Sequence, residues 1–181
     1  MRLVLTLILC LTAASAYLVE GAVPAEAQAV GFALTSPDFP AGGQIPAQFT
    51  CQGKDQGEDI SPQLFWMGAP GGTKGYALTL TDPDAPSGEF THWVVYDLPA
   101  KSLGIPRGGP LPAGAKEAAN SFGKEAYGGP CPPGGEHRYI FTLYALDTPG
   151  LGGIADKAEL LSRLKGHILG KAELMGLYRR H

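Results

Sequence analysis

Apolar and polar residues alternate with a period of two along several stretches of the chain. In "YALTLTD" (76–82), Tyr76, Leu78, Leu80 and Asp82 share one face, and in "THWVVYDL" (91–98), His92, Val94 and Tyr96 do. Successive side chains of a strand point to opposite faces, so this alternation predicts strands with one face on a core. "HRYIFTLYAL" (137–146) carries His137, Tyr139, Phe141 and Leu143 on one face and Ile140, Tyr144 and Leu146 on the other. A strand apolar on both faces belongs inside a sheet. "GFALTSP" (31–37) and "QLFWMGA" (63–69) are two further strand candidates, and turns rich in Gly, Pro and Asp separate the runs. The period lengthens to helical spacing in "KAELLSRLKGHIL" (157–169), where Leu160, Leu161, Leu164 and Ile168 align. Asp156 precedes that run and Glu159 follows three later, a capping-box pattern, and Gly166 or Gly170 is the predicted stop. The tail "KAELMGLYRR" (171–180) suits either a second helix or a last strand. These elements predict an all-β fold, a sandwich of packed antiparallel sheets.

The chain has 181 residues, enough for one domain with a sizeable core, and shows no internal repeat. With 26 glycines and 16 prolines it is rich in residues that punctuate strands, which agrees with the strand reading. Its formal net charge of −3 argues against a surface built to hold a nucleic acid, though not against a small anion site. The first residues read as an export signal. Arg2 is followed by the apolar run "LVLTLILCLTAASA" (3–16), too short for an ordinary spanning helix. Two A-x-A sites follow, Ala14-Ser15-Ala16 and Ala27-Gln28-Ala29. The second divides the chain into a signal peptide at 1–29 and a mature domain at 30–181, periplasmic or secreted. The alternative is an uncleaved membrane anchor, because Tyr17, Leu18 and Val19 extend the run. Cleavage removes Cys10 and leaves Cys51 and Cys131, most simply a disulfide in an oxidising compartment, with two unpaired thiols as the alternative.

Residues 99–136 form an overlong stretch rich in Gly and Pro that leads into the 137–146 strand, and such loops usually carry a site. If 76–82 and 92–97 pair as a hairpin, Asp82 and His92 meet at one end of the sheet, and His137 joins them if its strand runs in the direction of 92–97. Two histidines and an aspartate suit three chemistries: a zinc or iron centre, an acid/base pair, or a rigid pocket that donates hydrogen bonds to an anion. The prolines and glycines around them fix backbone and present N–H groups, which favours the pocket. Aspartate beside histidine also fixes the imidazole tautomer and favours a cationic donor. No G-x-S-x-G elbow, P-loop or H-E-x-x-H occurs in the chain.

"DPDAP" (82–86), "HWVVYDLP" (92–99), "GPCPP" (129–133) and "HRYIFTLYALD" (137–147) resemble the phosphatidylethanolamine-binding protein family, also called Raf-kinase-inhibitor-like proteins. The likeness is to the bacterial branch, with "FTCQG" (49–53), "DISPQLFW" (59–66) and "FGKEAYGGP" (122–130) in order, over about Leu34 to Tyr178. The resemblance implies two packed antiparallel sheets with a few short C-terminal helices. It also implies an anion pocket at one end that accepts phosphate-like head groups. Carried over by motif, the ligand-binding residues are Asp82, Asp84, His92, Cys131, Pro132, Pro133, His137 and Tyr139, with position 131 often glycine in eukaryotic members. It further places Cys51 and Cys131 in loops near the pocket and implies a cis Ala85–Pro86 bond in the turn. The expectation is an exported, non-catalytic binder of a small phosphate-bearing ligand, without metal or cofactor and without nucleic acid. A membrane is a partner only if the N-terminal segment is uncleaved. The alternatives are a module that inhibits a kinase or hydrolase through a protein interface, and then a metal- or acid/base-dependent hydrolase.

Overall fold

A computed structural model of the chain describes residues 31–52 and 60–180. The predicted signal peptide and its A-x-A sites lie outside the described residues. Within them the strands are β1 (Ala33–Thr35), β2 (Leu64–Met67), β3 (Gly75–Asp82), β4 (Phe90–Pro99), β5 (Gly104–Ile105), β6 (Lys116–Glu117), β7 (Glu136–Leu146) and β8 (Ile168–Arg179). Helix α1 (Lys157–Leu164) lies between β7 and β8. The strands make two antiparallel sheets, a larger one in the order β6-β4-β3-β7-β8 and a smaller one in the order β1-β2-β5.

The alternating apolar residues explain how the layers stack. Tyr76, Leu78 and Leu80 of β3 and Tyr139, Phe141 and Leu143 of β7 face the small sheet, where Leu34, Leu64, Trp66 and Ile105 meet them. The opposite face of the large sheet, with Ala77, Tyr144 and Leu146, is covered by Leu160 and Leu164 of α1 and by Leu151 and Ile154. Strand β7 is therefore apolar on both faces and paired on both edges, as its composition predicts. Both sheets are held by burial of these faces rather than by local propensity, since every residue of β3 is buried.

Helix α1 starts where the cap predicts. The Asp156 carboxylate accepts from the Glu159 backbone N–H at 2.9 Å, while the Glu159 carboxylate reaches back to the Ala155 N–H at 3.0 Å, one residue before the usual box partner. Gly166, with φ of 83°, ends it. Ile168, which the helical spacing groups with Leu164, instead opens β8. The ambiguous tail is strand, because it alternates and pairs with β7 from Glu136↔Arg179 to Leu146↔Ile168. The 99–136 stretch is also less irregular than its composition suggests. It contributes β5 to the small sheet and β6 to the edge of the large one.

Strands β3 and β4 pair antiparallel, as do β3 and β7, so β4 and β7 run the same way. Asp82 at the end of β3, His92 at the start of β4 and His137 at the start of β7 therefore share one end of the large sheet. The face of His92 differs from the simple alternation. Leu80 pairs with Trp93 and Thr81 with Thr91, which leaves His92 as one extra residue in β4. This bulge re-aims His92 away from Val94 and Tyr96 and toward Tyr139 on the core side.

Candidate functional site

Asp82 is the hub at that end. Its Oδ2 accepts from Nδ1 of His137 at 2.7 Å, and its Oδ1 accepts from the Asp84 N–H at 2.8 Å, an Asx turn that starts the 83–89 loop. Asp82, His92 and His137 are all buried. Since a carboxylate and a carbonyl only accept, the hydrogen-bond pattern assigns the tautomers: His137 carries its proton on Nδ1 toward Asp82. His92 does so toward the Gly128 carbonyl at 2.8 Å. Protonating either ring then adds a donor at Nε2.

The cavity beside this hub has a volume of about 230 Å³. Four of the sequence candidates line it, Asp82, His92, Cys131 and Pro133, and they are joined by Ala85, Pro86, Ser87, Phe90 and Phe122. The other four candidates stand elsewhere. His137 sits behind Asp82 and holds its carboxylate. Tyr139 is fully buried and meets His92 edge-on, with ring centroids 5.3 Å apart. Its hydroxyl has no hydrogen-bond partner of proper geometry, although Asp82 and the Cys131 backbone are its polar neighbours. Burial and then the Asp82 carboxylate push its ionisation well above the ordinary phenol value. Pro132 is buried beneath the loop. Asp84 turns outward and accepts from the Arg138 backbone N–H at 3.0 Å, from Nε at 2.9 Å and from Nη2 at 2.6 Å. Those hydrogen bonds hold its carboxyl well below the usual carboxylate range. It clamps the hairpin to β7 and does not line this cavity.

The turn expectation is corrected. No cis peptide bond occurs among the described residues, so Ala85–Pro86 is trans. The loop is long enough to reverse direction by other means, through the Asx turn at Asp82 and a Gly88 N–H to Ala85 O bond of 3.0 Å.

Strand alternation and the site motifs do not single out the aromatic wall. Phe90 and Phe122 pack edge-on at 4.8 Å between centroids, and both touch the His92 ring. Phe122 is placed by Asn120, a buried residue in an otherwise Gly-rich loop. Asn120 Oδ1 accepts from the N–H groups of Phe122 and Lys124, at 2.9 and 3.1 Å, and its Nδ2 donates to Ala126 O at 2.8 Å. The visible signal was "NSFG" (120–123), an Asx-turn sequence. Gly128 donates to His92 O at 3.0 Å, and a Cβ there would lie 2.7 Å from Cε2 of Phe122, so a larger residue must displace that ring. The disulfide between Cys51 and Cys131, with Cα atoms 5.4 Å apart, closes one side of the cavity. A larger hollow of about 480 Å³ lies by Glu89, Asn120 and Lys157, but its lining holds no histidine and no aromatic ring. Among the described residues no three His, Cys, Asp or Glu side chains are grouped to hold a metal ion.

Comparison with known proteins agrees with this architecture. The family model for phosphatidylethanolamine-binding protein matches residues 35–179. The chain belongs to the phosphatidylethanolamine-binding protein family. Over 147 residues it is 48% identical to the UPF0098 protein of Methanothermobacter thermautotrophicus, which covers 76% of this chain and 92% of that protein. Among solved structures it is similar to Escherichia coli YbcL, described as a new member of the mammalian family. That likeness has a TM-score of 0.76 at 32% identity and covers 84% of this chain and all, 100%, of the other. It is equally similar to the family homolog CT736 of Chlamydia trachomatis, with a TM-score of 0.76 at 36% identity over 83% of this chain and 99% of that one. Membership of the phosphatidylethanolamine-binding protein family accounts for the motif order read along the chain and for the packing of a small sheet on a larger one.

Proposed function

We propose that this protein is an exported, non-catalytic binder of a small phosphate-bearing head group. The observation that carries the reading is the placement of one carboxylate and one imidazole, Asp82 and His92, in a single cavity of about 230 Å³ walled by aromatic rings and prolines. A zwitterionic head group suits such a wall. The phosphate accepts from His92 once that ring is protonated, and an ammonium faces Asp82 against the rings of Phe90 and Phe122. His137 acts through Asp82 and keeps the carboxylate aimed. The Cys51–Cys131 disulfide and the apolar N-terminal run support export to an oxidising compartment.

Calorimetric titration of O-phosphoethanolamine tests the reading. His92→Ala and Asp82→Asn each weaken binding about tenfold or more, the loss expected for one charge-assisted hydrogen bond. Equal affinity in wild type and both variants sinks the proposal.

A further inference from the structure

The end of the large sheet opposite the pocket has its own character. Gly75 pairs with Pro99 and Leu146, and Leu146 with Ile168, so these residues mark an end about 23 Å from Asp82, at roughly 3.3 Å per strand residue. Lys74, Lys101, Lys165 and Lys171 surround it, and all four are exposed. None of them forms an ion pair among the described residues. The acids nearby are already engaged: Asp147 accepts from His167 at 2.7 Å, and Asp97 from Lys116 at 3.1 Å and from the Leu151 N–H at 2.8 Å. A protein of net charge −3 thus gathers an excess of positive charge at one end, where four lysines outnumber the acids that are not already salt-bridged.

Apolar side chains protrude among the lysines. Of six exposed large hydrophobics among the described residues, four are here: Met67, Leu103, Ile168 and Leu169. Leu103, at 69% exposure, and Met67, at 55%, are the most exposed of the six. The chain also enters the domain at this end. Phe32 stacks 6.3 Å from Tyr76, and its ring lies 3.5 Å from where a Cβ of Gly170 would be. Residues 1–30, with the apolar run 3–16, therefore join the domain beside the lysines.

We propose that this end docks onto an anionic lipid surface, with the pocket held away from the bilayer. Lysines without an ion pair, of which Lys171 alone has another partner in the Tyr144 ring 5.1 Å away, match, together with protruding apolar side chains, a charged head-group layer over hydrocarbon. During export, before cleavage after Ala29, the apolar N-terminal run joined at the same end brings the domain to a membrane, and the lysines and apolar side chains then hold it there. A second copy is a poorer occupant, because a two-fold contact would set the lysines of one protomer against those of the other. The inference is independent of what the pocket binds.

Hydrogen–deuterium exchange of the full chain tests it, with vesicles of phosphatidylcholine alone or with 30% phosphatidylglycerol as the probe. On anionic vesicles, exchange slows about tenfold or more at 99–104 and 165–171 and is unchanged at 83–90 and 129–137. The slowing is absent on neutral vesicles and is abolished by 0.5 M salt. Replacing the four lysines by Gln removes it, while exchange in β3 and β7 stays at the wild-type rate. If that variant fails to fold, the salt and neutral-vesicle arms on the wild type decide. Equal protection on neutral vesicles, protection at the pocket end, or protection of 165–171 without vesicles through self-association each overturns the proposal.

Discussion

Asp82 and Asp84 stand two positions apart and have different tasks. Asp82 lies on the core-facing register of β3, with Tyr76, Leu78 and Leu80, and that parity was visible in the sequence. Asp84 lies past the strand end, where period-two reasoning stops. Its partner, Arg138, alternates with His137 and Tyr139 and projects from the opposite face of β7, where its position in the strand does not point to a partner past the end of β3. Arg138 holds the Asp84 carboxyl below the ordinary range, first through hydrogen bonds and then through charge. A folded-state value below the unfolded one, about 3.9, means that the pair stabilises the fold fully above that pH. The contribution fades as pH falls through the folded value. Asp84→Asn should lower the melting temperature at pH 7 by about 2 °C or less, since the pair is largely exposed. The gap to wild type should narrow steadily below pH 4, and phosphoethanolamine affinity at pH 7 should not change. Thermal melts across pH 2–7 check this, and a gap of constant size would assign the effect to something other than the ion pair.

Most strands were legible in the sequence because burial on one face imposes alternation, and β3 and β7 obey it without interruption through their central residues. Strand β4 does not. A bulge is a relation between two strands, one residue more on β4 than on β3, and no single-strand pattern can show it. That is why simple alternation groups His92 with Val94 and Tyr96, although it packs on Tyr139. The 118–131 segment was legible as an unusual loop but not as an aromatic wall, because its order comes from Asn120 side-chain bonds and from a glycine contact. The contact makes a prediction. In Gly128→Ala the new Cβ meets Cε2 of Phe122 at 2.7 Å, and Phe122, 47% exposed, has room to swing outward. Stability should then change little, by less than about 1 kcal/mol, because no buried neighbour is displaced. Affinity for phosphoethanolamine should fall about tenfold as the cavity loses that wall. Denaturant melts beside calorimetry separate the two, and a large stability loss with binding retained would show that Phe122 is fixed and not part of the site.

At the scale of the molecule, the pocket is an assembly of distant segments: a strand end at Asp82, a bulge at His92 and a loop at Cys131, brought to one end by antiparallel pairing around β3. Sheet pairing fixes the first two, whereas the loop is held by individual hydrogen bonds and by a covalent link. Gly128 ties it to β4 through its N–H to His92 O at 3.0 Å and its carbonyl, which accepts from His92 Nδ1 at 2.8 Å, and at its far end it is held by the Cys51 N–H to Pro130 O bond of 3.0 Å and by the Cys51–Cys131 disulfide, which spans a sequence separation of 80. Closing a chain loop of that length restricts the unfolded state and stabilises the fold by roughly 4 kcal/mol on the entropy account. For a domain of this size that corresponds to a melting temperature higher by about 10 °C. Because Cys131 also lines the cavity, the bond acts on site and stability together. Titration with a thiol reagent should find no reactive thiol in unreduced protein carrying only these two cysteines, and two after reduction. Cys51→Ser/Cys131→Ser should melt about 10 °C lower, yet keep its β-sheet circular dichroism at 25 °C, since the sheet pairing of β3, β4, β7 and β8 does not depend on the bond. Phosphoethanolamine affinity should fall only a few-fold, because the Cys51–Pro130 backbone bond still positions the loop. Two free thiols in the unreduced protein, or unchanged melting after reduction, would remove the disulfide from both roles.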